Sequence, residues 1–209
     1  PPPGFHVTLF CLMLALFLGA INQTIVAAAL PTIGKAFGDV GNLSWVMSVY
    51  FLSGTAVAPI IGKLSDIYGR RPLILWSIGL FLSGSIVCAL APNMLVLIVG
   101  RALQGFGGGG LFPMVHSTIN DLIAPRERGR YFVFNSITWT TASLLGPVLG
   151  GVFADYLHWS VIFWFNVPFG AAAMLLLAQR LKSLPRPDAD RRFDAPGGLL
   201  LMASAVVFL

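Results

Sequence analysis

From Val7 to Gly34 the chain carries no charged side chain, and the same holds from Val40 to Gly62 and from Pro72 to Gly100. Uncharged apolar runs of this length span about 30 Å of hydrocarbon as helices of roughly 20 residues. Backbone in lipid must satisfy its own hydrogen bonds, so the chain is held to an all-α membrane fold. Composition agrees: 56% of the 209 residues are hydrophobic and 10% are charged, against about 25% charged in soluble domains. Charged or proline-bearing turns divide the sequence into six predicted helices. The first covers Val7–Leu30 and is ended by Pro31; the second starts near Leu43; the third and fourth cover Pro72–Leu90 and Met94–Asn120, separated by Ala91-Pro92-Asn93. The fifth covers Tyr131–Ala154 with an interruption at Gly146-Pro147, and the sixth Trp159–Gln179. Residues 1–181 thus form a six-helix transmembrane bundle and 182–194 a cytoplasmic linker, while 195–209 begin a seventh helix. At about 1.5 Å per residue that last run is too short to cross and reads as truncated.

The cations are unevenly placed. Lys63, Arg70 and Arg71, then Arg126, Arg128 and Arg130, then Arg180, Lys182, Arg186, Arg191 and Arg192 follow the second, fourth and sixth helices. The opposite turns hold Lys35. This asymmetry puts the N-terminus in the cytoplasm by the positive-inside rule. It also accounts for the net charge of +5 without a nucleic-acid partner, which needs a basic face on a soluble domain. Pro1 to His6 lack the basic region and small-residue cleavage site of a signal peptide, so the first apolar run is expected to stay as a span. Cys11 and Cys88 lie in apolar runs and read as small hydrophobes. There is no metal-spaced His/Cys set and no nucleophile–base pair, so no enzymatic site is expected and no metal or cofactor is implied.

Arg101 breaks the pattern, because it lies inside an apolar run directly before the Gly105–Gly110 stretch. A cation at membrane depth costs about 2.5–3.5 kcal/mol on insertion scales, which makes it a functional-site candidate facing a cavity. Gln104, one turn on, shares its face. Asn22 and Arg101 both lie about 5–8 Å outward of the bilayer centre by helical rise, so they can meet if the first and fourth helices are neighbours. Asn22 accepts a hydrogen bond but cannot titrate. Asp39, Asp66, Asp121, Glu127, Asp155, Asp188, Asp190 and Asp194 all fall in turns or at helix ends. That leaves His116 as the interior titratable alternative. Gly105 and Gly109, four apart, read as a small-residue face for close helix packing, and Gly146-Pro147 with Gly150-Gly151 as a kink with a close contact. Tyr50, Phe112, Met114 and Trp139 are candidate cargo contacts by their apolar or aromatic surface.

Several motifs carry a family resemblance. Gly62-Lys63-Leu64-Ser65-Asp66-Ile67-Tyr68-Gly69-Arg70-Arg71 resembles the loop signature of the major facilitator superfamily. Arg101-Ala102-Leu103-Gln104-Gly105-Phe106-Gly107 is similar to its fourth-helix motif, and Gly146-Pro147-Val148-Leu149-Gly150-Gly151 to its antiporter motif. Asn22-Gln23-Thr24-Ile25-Val26 through Ala29-Leu30-Pro31, Phe163 with Asn166-Val167-Pro168, and the approach to Phe193-Asp194-Ala195-Pro196-Gly197 resemble the 14-helix drug:proton antiporters. Two departures stand out. Asn22 replaces the family's aspartate, and Ser160-Val161 stand where an Arg-Trp pair is usual.

The resemblance implies the N-terminal half of a secondary multidrug exporter, driven by the proton gradient without a cofactor. It would move apolar or cationic compounds by alternating access in a cell membrane, a bacterial inner membrane being the expected setting. Its partners would be the bilayer, the cargo and a second helix bundle. Coupling is expected to be impaired, since the family's proton carrier is the residue that Asn22 replaces. The motif around Gly62, Asp66, Gly69, Arg70 and Arg71 would act as a cytoplasmic gate, with Asp66 paired to Arg130 or Arg126. The competing expectations are a non-transporting binding module, and a major facilitator carrier of another small metabolite.

Overall fold

The computed structural model describes residues 5–123 and 125–181. The linker at 182–194, the seventh apolar run at 195–209 and the cations Lys182, Arg186, Arg191 and Arg192 lie outside the described residues. Six helices run in order: α1 Phe5–Phe37, α2 Leu43–Tyr68, α3 Arg70–Ala89, α4 Met94–Leu122, α5 Arg128–Tyr156 and α6 Val161–Arg180. All six are long and apolar enough to cross a membrane.

The expected boundaries move at the prolines. Pro31 does not end α1, which continues to Phe37, and α5 passes Gly146-Pro147 without a break. Pro59, Pro113 and Pro168 also lie inside helices. Proline removes one donor, but in spanning helices neighbouring groups re-satisfy the freed carbonyl, so a proline there is weaker punctuation than in a soluble helix. True stops come from other chemistry. Gly38 ends the α1 segment at φ +64°, and Gly69 joins α2 to α3 at φ +94°, a left-handed conformation that only glycine adopts readily. Asn93 caps α4 by accepting from the Val96 backbone N–H at 2.9 Å.

The helices pack as two related trios. α4 lies between α2 and α3, and α1 lies between α5 and α6; α1·α4 and α3·α6 contacts join the trios. Exchanging the first three helices for the last three maps α1·α5 onto α4·α2 and α1·α6 onto α4·α3. This is the internal symmetry of inverted-repeat transporter bundles, and it puts α1 and α4 in corresponding positions. Two apolar clusters occupy opposite ends. One gathers Leu9, Leu12, Leu16, Ile74, Ile78, Met114 and Leu177, and the other Ile25, Ile33, Val46, Leu97, Ile162 and Phe163.

Lipid gives helices no hydrophobic reason to associate, so small residues set the interfaces. The glycines of α4 serve both its neighbours. A Cβ on Gly105 or Gly109 would strike Tyr50, Ser53 or the Gly54 backbone of α2, and one on Gly107 the Ser77–Phe81 backbone of α3. On α5, Thr138, Ala142, Gly146 and Gly150 recur every fourth residue as the buried stripe. A Cβ at Gly146 would meet Thr24, and one at Gly150 the Ile25 carbonyl oxygen at 2.7 Å. Thr24 Oγ1 donates to the Ala142 carbonyl at 3.0 Å, which pins α1 to α5 at that stripe.

Candidate functional site: a buried arginine network beside an aromatic groove

Arg101 is fully buried. Its Nε donates to the Val46 carbonyl of α2 at 3.1 Å, and its Nη1 to Gln104 Oε1 at 2.8 Å. The Tyr50 ring lies 4.2 Å from the guanidinium carbon, so the ring's negative face also meets the charge. Gln104 Nε2 donates to Ser85 Oγ of α3 at 2.6 Å. Asn166 of α6 donates through Nδ2 to Asn22 Oδ1 at 2.8 Å and, more weakly, to Ser85 Oγ at 3.4 Å. The Cys88 thiol lies 3.8 Å from Gln104 Oε1. The result is a polar thread, Asn22–Asn166–Ser85–Gln104–Arg101, crossing four helices inside an otherwise apolar bundle.

Two expectations change here. Asn22 and Arg101 belong to one cluster, but they are joined through Asn166, Ser85 and Gln104 and not by a bond of their own. The Arg101 guanidinium does not face an open cavity, because Tyr50 covers it. The cation is tolerated because carbonyl, amide and π density surround it, yet among the described residues no carboxylate is bonded to it. Three buried atoms of this network stay unpaired: Asn22 Nδ2, Asn166 Oδ1 and Arg101 Nη2. Ser85 was not singled out from the sequence, and Asn166 only as part of a family motif with no site role. The signal that could have found them is an uncharged polar group mid-span, where an unsatisfied group costs several kcal/mol.

Tyr50 has a second neighbourhood. With Gln23 of α1, Phe51, Gly54, Thr55 and Ala58 of α2, and Gly108, Phe112, Pro113 and His116 of α4, it lines an open groove of about 510 Å³. Gly108 is placed so that a Cβ there would meet the Tyr50 hydroxyl at 2.6 Å. Phe112 stacks on His116 at 5.0 Å and leans on Trp139 of α5 at 5.5 Å. Of the four candidate cargo contacts, Tyr50 and Phe112 line the groove and Trp139 backs Phe112. Met114 does not. It is fully buried in the first apolar cluster, since two residues on from Phe112 the helix has turned it about 200° away.

The charged turn also differs from expectation. Asp66 pairs with Arg70 of its own motif at 2.6 Å, and not with Arg130 or Arg126. Arg70 then reaches Asp121 at the end of α4 at 3.1 Å and donates to Ser65 Oγ at 2.5 Å. Arg71 donates to the Ala178 carbonyl at 2.9 and 3.2 Å, where a helix C-terminus favours a cation. Arg128 donates to the Asn120 carbonyl at 3.1 Å. The motif thus staples α2, α3, α4 and α6 together at one end. Gly62 and Gly151 have nothing within 4 Å of a Cβ built on them, so neither is a packing glycine here.

Six spanning helices in inverted-repeat order, with a buried Arg–Gln pair and an Asp–Gly–Arg–Arg turn, define a polytopic membrane transporter fold. The sequence profile of the Major Facilitator Superfamily matches residues 12–208, and the chain belongs to that family. It is 38% identical to the efflux pump dotC of Dothistroma septosporum over its whole length, and spans 37% of that protein. It is 36% identical to the MFS-type efflux pump LUC4 of a Fusarium species and 38% identical to the MFS-type efflux pump MMF1 of Pseudozyma antarctica. These alignments cover 96% and 98% of the chain and 36% and 39% of the pumps. Among solved structures, the human organic anion transporter MFSD10 superposes with a TM-score of 0.79 at 19% identity, over 99% of this chain and 55% of that one. This last likeness is one of fold.

Proposed function

We propose that the chain is the N-terminal bundle of a secondary exporter for apolar or cationic small molecules, of the 14-helix drug:proton antiporter type. It works by alternating access against a second bundle. The observation that carries this reading is the 510 Å³ aromatic groove opening beside the Arg101 network. A groove of that size falls in the range that holds a drug-sized ligand, and Tyr50 belongs to both groove and network. The names of dotC, LUC4 and MMF1, efflux pumps all three, support it. Protons are the driving ion, and Asn22 weakens coupling because the amide beside Asn166 cannot carry one. The Asp66–Arg70–Asp121 staple is a contact that differs between transport states, as switching requires. The N-terminus lies in the cytoplasm, and the fungal relatives favour a fungal cell membrane over the bacterial one expected from the motifs.

The test is Asn22→Asp in the full-length protein, reconstituted in liposomes under an imposed pH gradient. Gradient-driven efflux of a cationic dye rises above that of the unsubstituted protein. Unchanged efflux would remove the coupling role of position 22, and no efflux from either protein would remove the exporter reading.

A further inference from the structure

The glycines of α4 divide by what surrounds them. A Cβ built on Gly105, Gly107 or Gly109 would strike backbone atoms of α2 or α3, and one on Gly110 the Ile61 and Ser77 side chains. These four let helices approach one another. Gly108 is different. A Cβ there would come 2.6 Å from the Tyr50 hydroxyl oxygen and 3.4 Å from the ring carbon that bears it, with Phe81 next at 3.7 Å. All three are side-chain atoms, so no neighbouring backbone forbids a larger residue. Gly108 is also half-buried and lines the groove beside Gly54, Gly109, Phe51 and Phe112. The side chain it lacks is thus the space in which the Tyr50 hydroxyl rests. The Tyr50 ring has little room to retreat from that seat. One face meets the Arg101 guanidinium at 4.2 Å, and Phe51 abuts it edge-on at 5.7 Å. A ring displaced from Gly108 therefore swings toward the open groove.

We propose that Gly108 is a specificity-determining residue: it seats the Tyr50 hydroxyl against α4 and so keeps the groove wide enough for bulky, non-planar cargo as well as flat ring systems. The inference rests on the groove being a cargo wall. A methyl group at position 108 narrows the groove twice, by its own volume and by the Tyr50 ring it displaces. One methylene of misfit in an apolar pocket changes binding about ten- to two-hundredfold. A bulky cargo that touches both walls loses that much, while a thin one lying along the aromatic faces does not. The collision involves one atom. Without the Tyr50 hydroxyl the nearest atom is the ring carbon at 3.4 Å, an ordinary van der Waals contact, and the same methyl group becomes harmless. The effect of position 108 is therefore conditional on that hydroxyl, which a glycine serving helix packing would not show. Alanine also suits a helix interior better than glycine, so the substitution leaves α4 itself intact.

The experiment measures binding of two cations to the full-length protein in nanodiscs at one pH. Tetraphenylphosphonium is bulky, with phenyl rings fanned out in all directions, and proflavine is a flat fused-ring dye; their charge is the same and their shape is not. Gly108→Ala raises the Kd for tetraphenylphosphonium about ten- to two-hundredfold and leaves that for proflavine nearly unchanged. Added to Tyr50→Phe, the same substitution leaves both Kd values at those of Tyr50→Phe alone. Equal losses for the two probes, or a loss of tetraphenylphosphonium binding that persists undiminished beside Tyr50→Phe, overturns the inference while leaving the cargo groove standing. Should Gly108→Ala fail to yield folded protein, the double variant decides the matter. It is expected to fold and to bind tetraphenylphosphonium as Tyr50→Phe does, and failure on either count makes Gly108 a packing glycine like its neighbours. Absence of binding of both probes to the unsubstituted protein sinks the cargo-wall reading and this inference together.

Discussion

Asn166 is the joint through which position 22 connects to the rest of the network, and removing it gives a sharp prediction. Asn166→Leu leaves Asn22 Oδ1 without its 2.8 Å donor, beside an Nδ2 that is already unpaired. A stranded buried polar atom costs about 1–3 kcal/mol. Loss of Asn166's own unpaired Oδ1 returns part of that, so the net falls toward the lower end. Asn22→Leu produces the mirror image by stranding Asn166 Nδ2, which keeps only the long bond to Ser85. In the double variant both ends are apolar and nothing is stranded between them, so the combined loss is smaller than the sum. Hydrogen bonds between membrane helices couple by about 0.6 kcal/mol on average and 1.7 at most. A coupling in that range is expected from the cycle. The assay is reversible unfolding of the full-length protein in mixed micelles, followed by tryptophan fluorescence, for the four members of the cycle. Additive losses, to within about 0.3 kcal/mol, would refute the direct α1–α6 bond and break the thread at its first link.

Two further expectations concern packing and the charged turn. Gly109→Val drives a side chain into the Gly54 backbone and lowers stability by about 1–3 kcal/mol, while Gly151→Ala, with open space around it, leaves the unfolding midpoint in place; equal losses would deny the α2–α4 contact. Arg70→Ala removes both carboxylate partners, yet these partly exposed pairs contribute only about 0.2–1 kcal/mol each. Its effect therefore falls on the transport rate in liposomes far more than on the unfolding midpoint, and the reverse ordering would make the motif a structural staple alone.

The spans, their order and the cation asymmetry were legible because lipid enforces them: a run without charge, such as Val7 to Gly34, has few alternatives to a helix. Arg101 and Gln104 were legible as a pair because a helix sets residues three apart on one face. What could not be read was anything fixed by helix rotation. Asn166 and Asn22 are 144 residues apart, and no local pattern states that α6 turns its amide toward α1. The same blindness counted Met114 among the cargo contacts, and assigned Asp66 to Arg130 or Arg126 when Arg70, four residues on across the Gly69 turn, was nearer. It also took the α1 and α5 prolines for breaks, since the partners that re-satisfy the backbone come from other helices. Asp121 was read as a turn charge, although its carboxylate completes the motif from the end of α4.

The central claim is that cargo travels along the groove shared by α1, α2 and α4, with the Arg101 network just behind Tyr50. Thiol labelling tests it most directly, because both cysteines of this chain are buried and any others in the full-length protein are replaced by serine beforehand. In the full-length protein Thr55→Cys, on the exposed groove wall, is expected to react with a cationic thiol reagent, and saturating tetraphenylphosphonium to slow that reaction about tenfold or more, by occupancy. Met114→Cys, buried in the core, is expected to stay unreactive with or without the cation. Reaction at Thr55→Cys that saturating cation leaves unchanged would contradict the account.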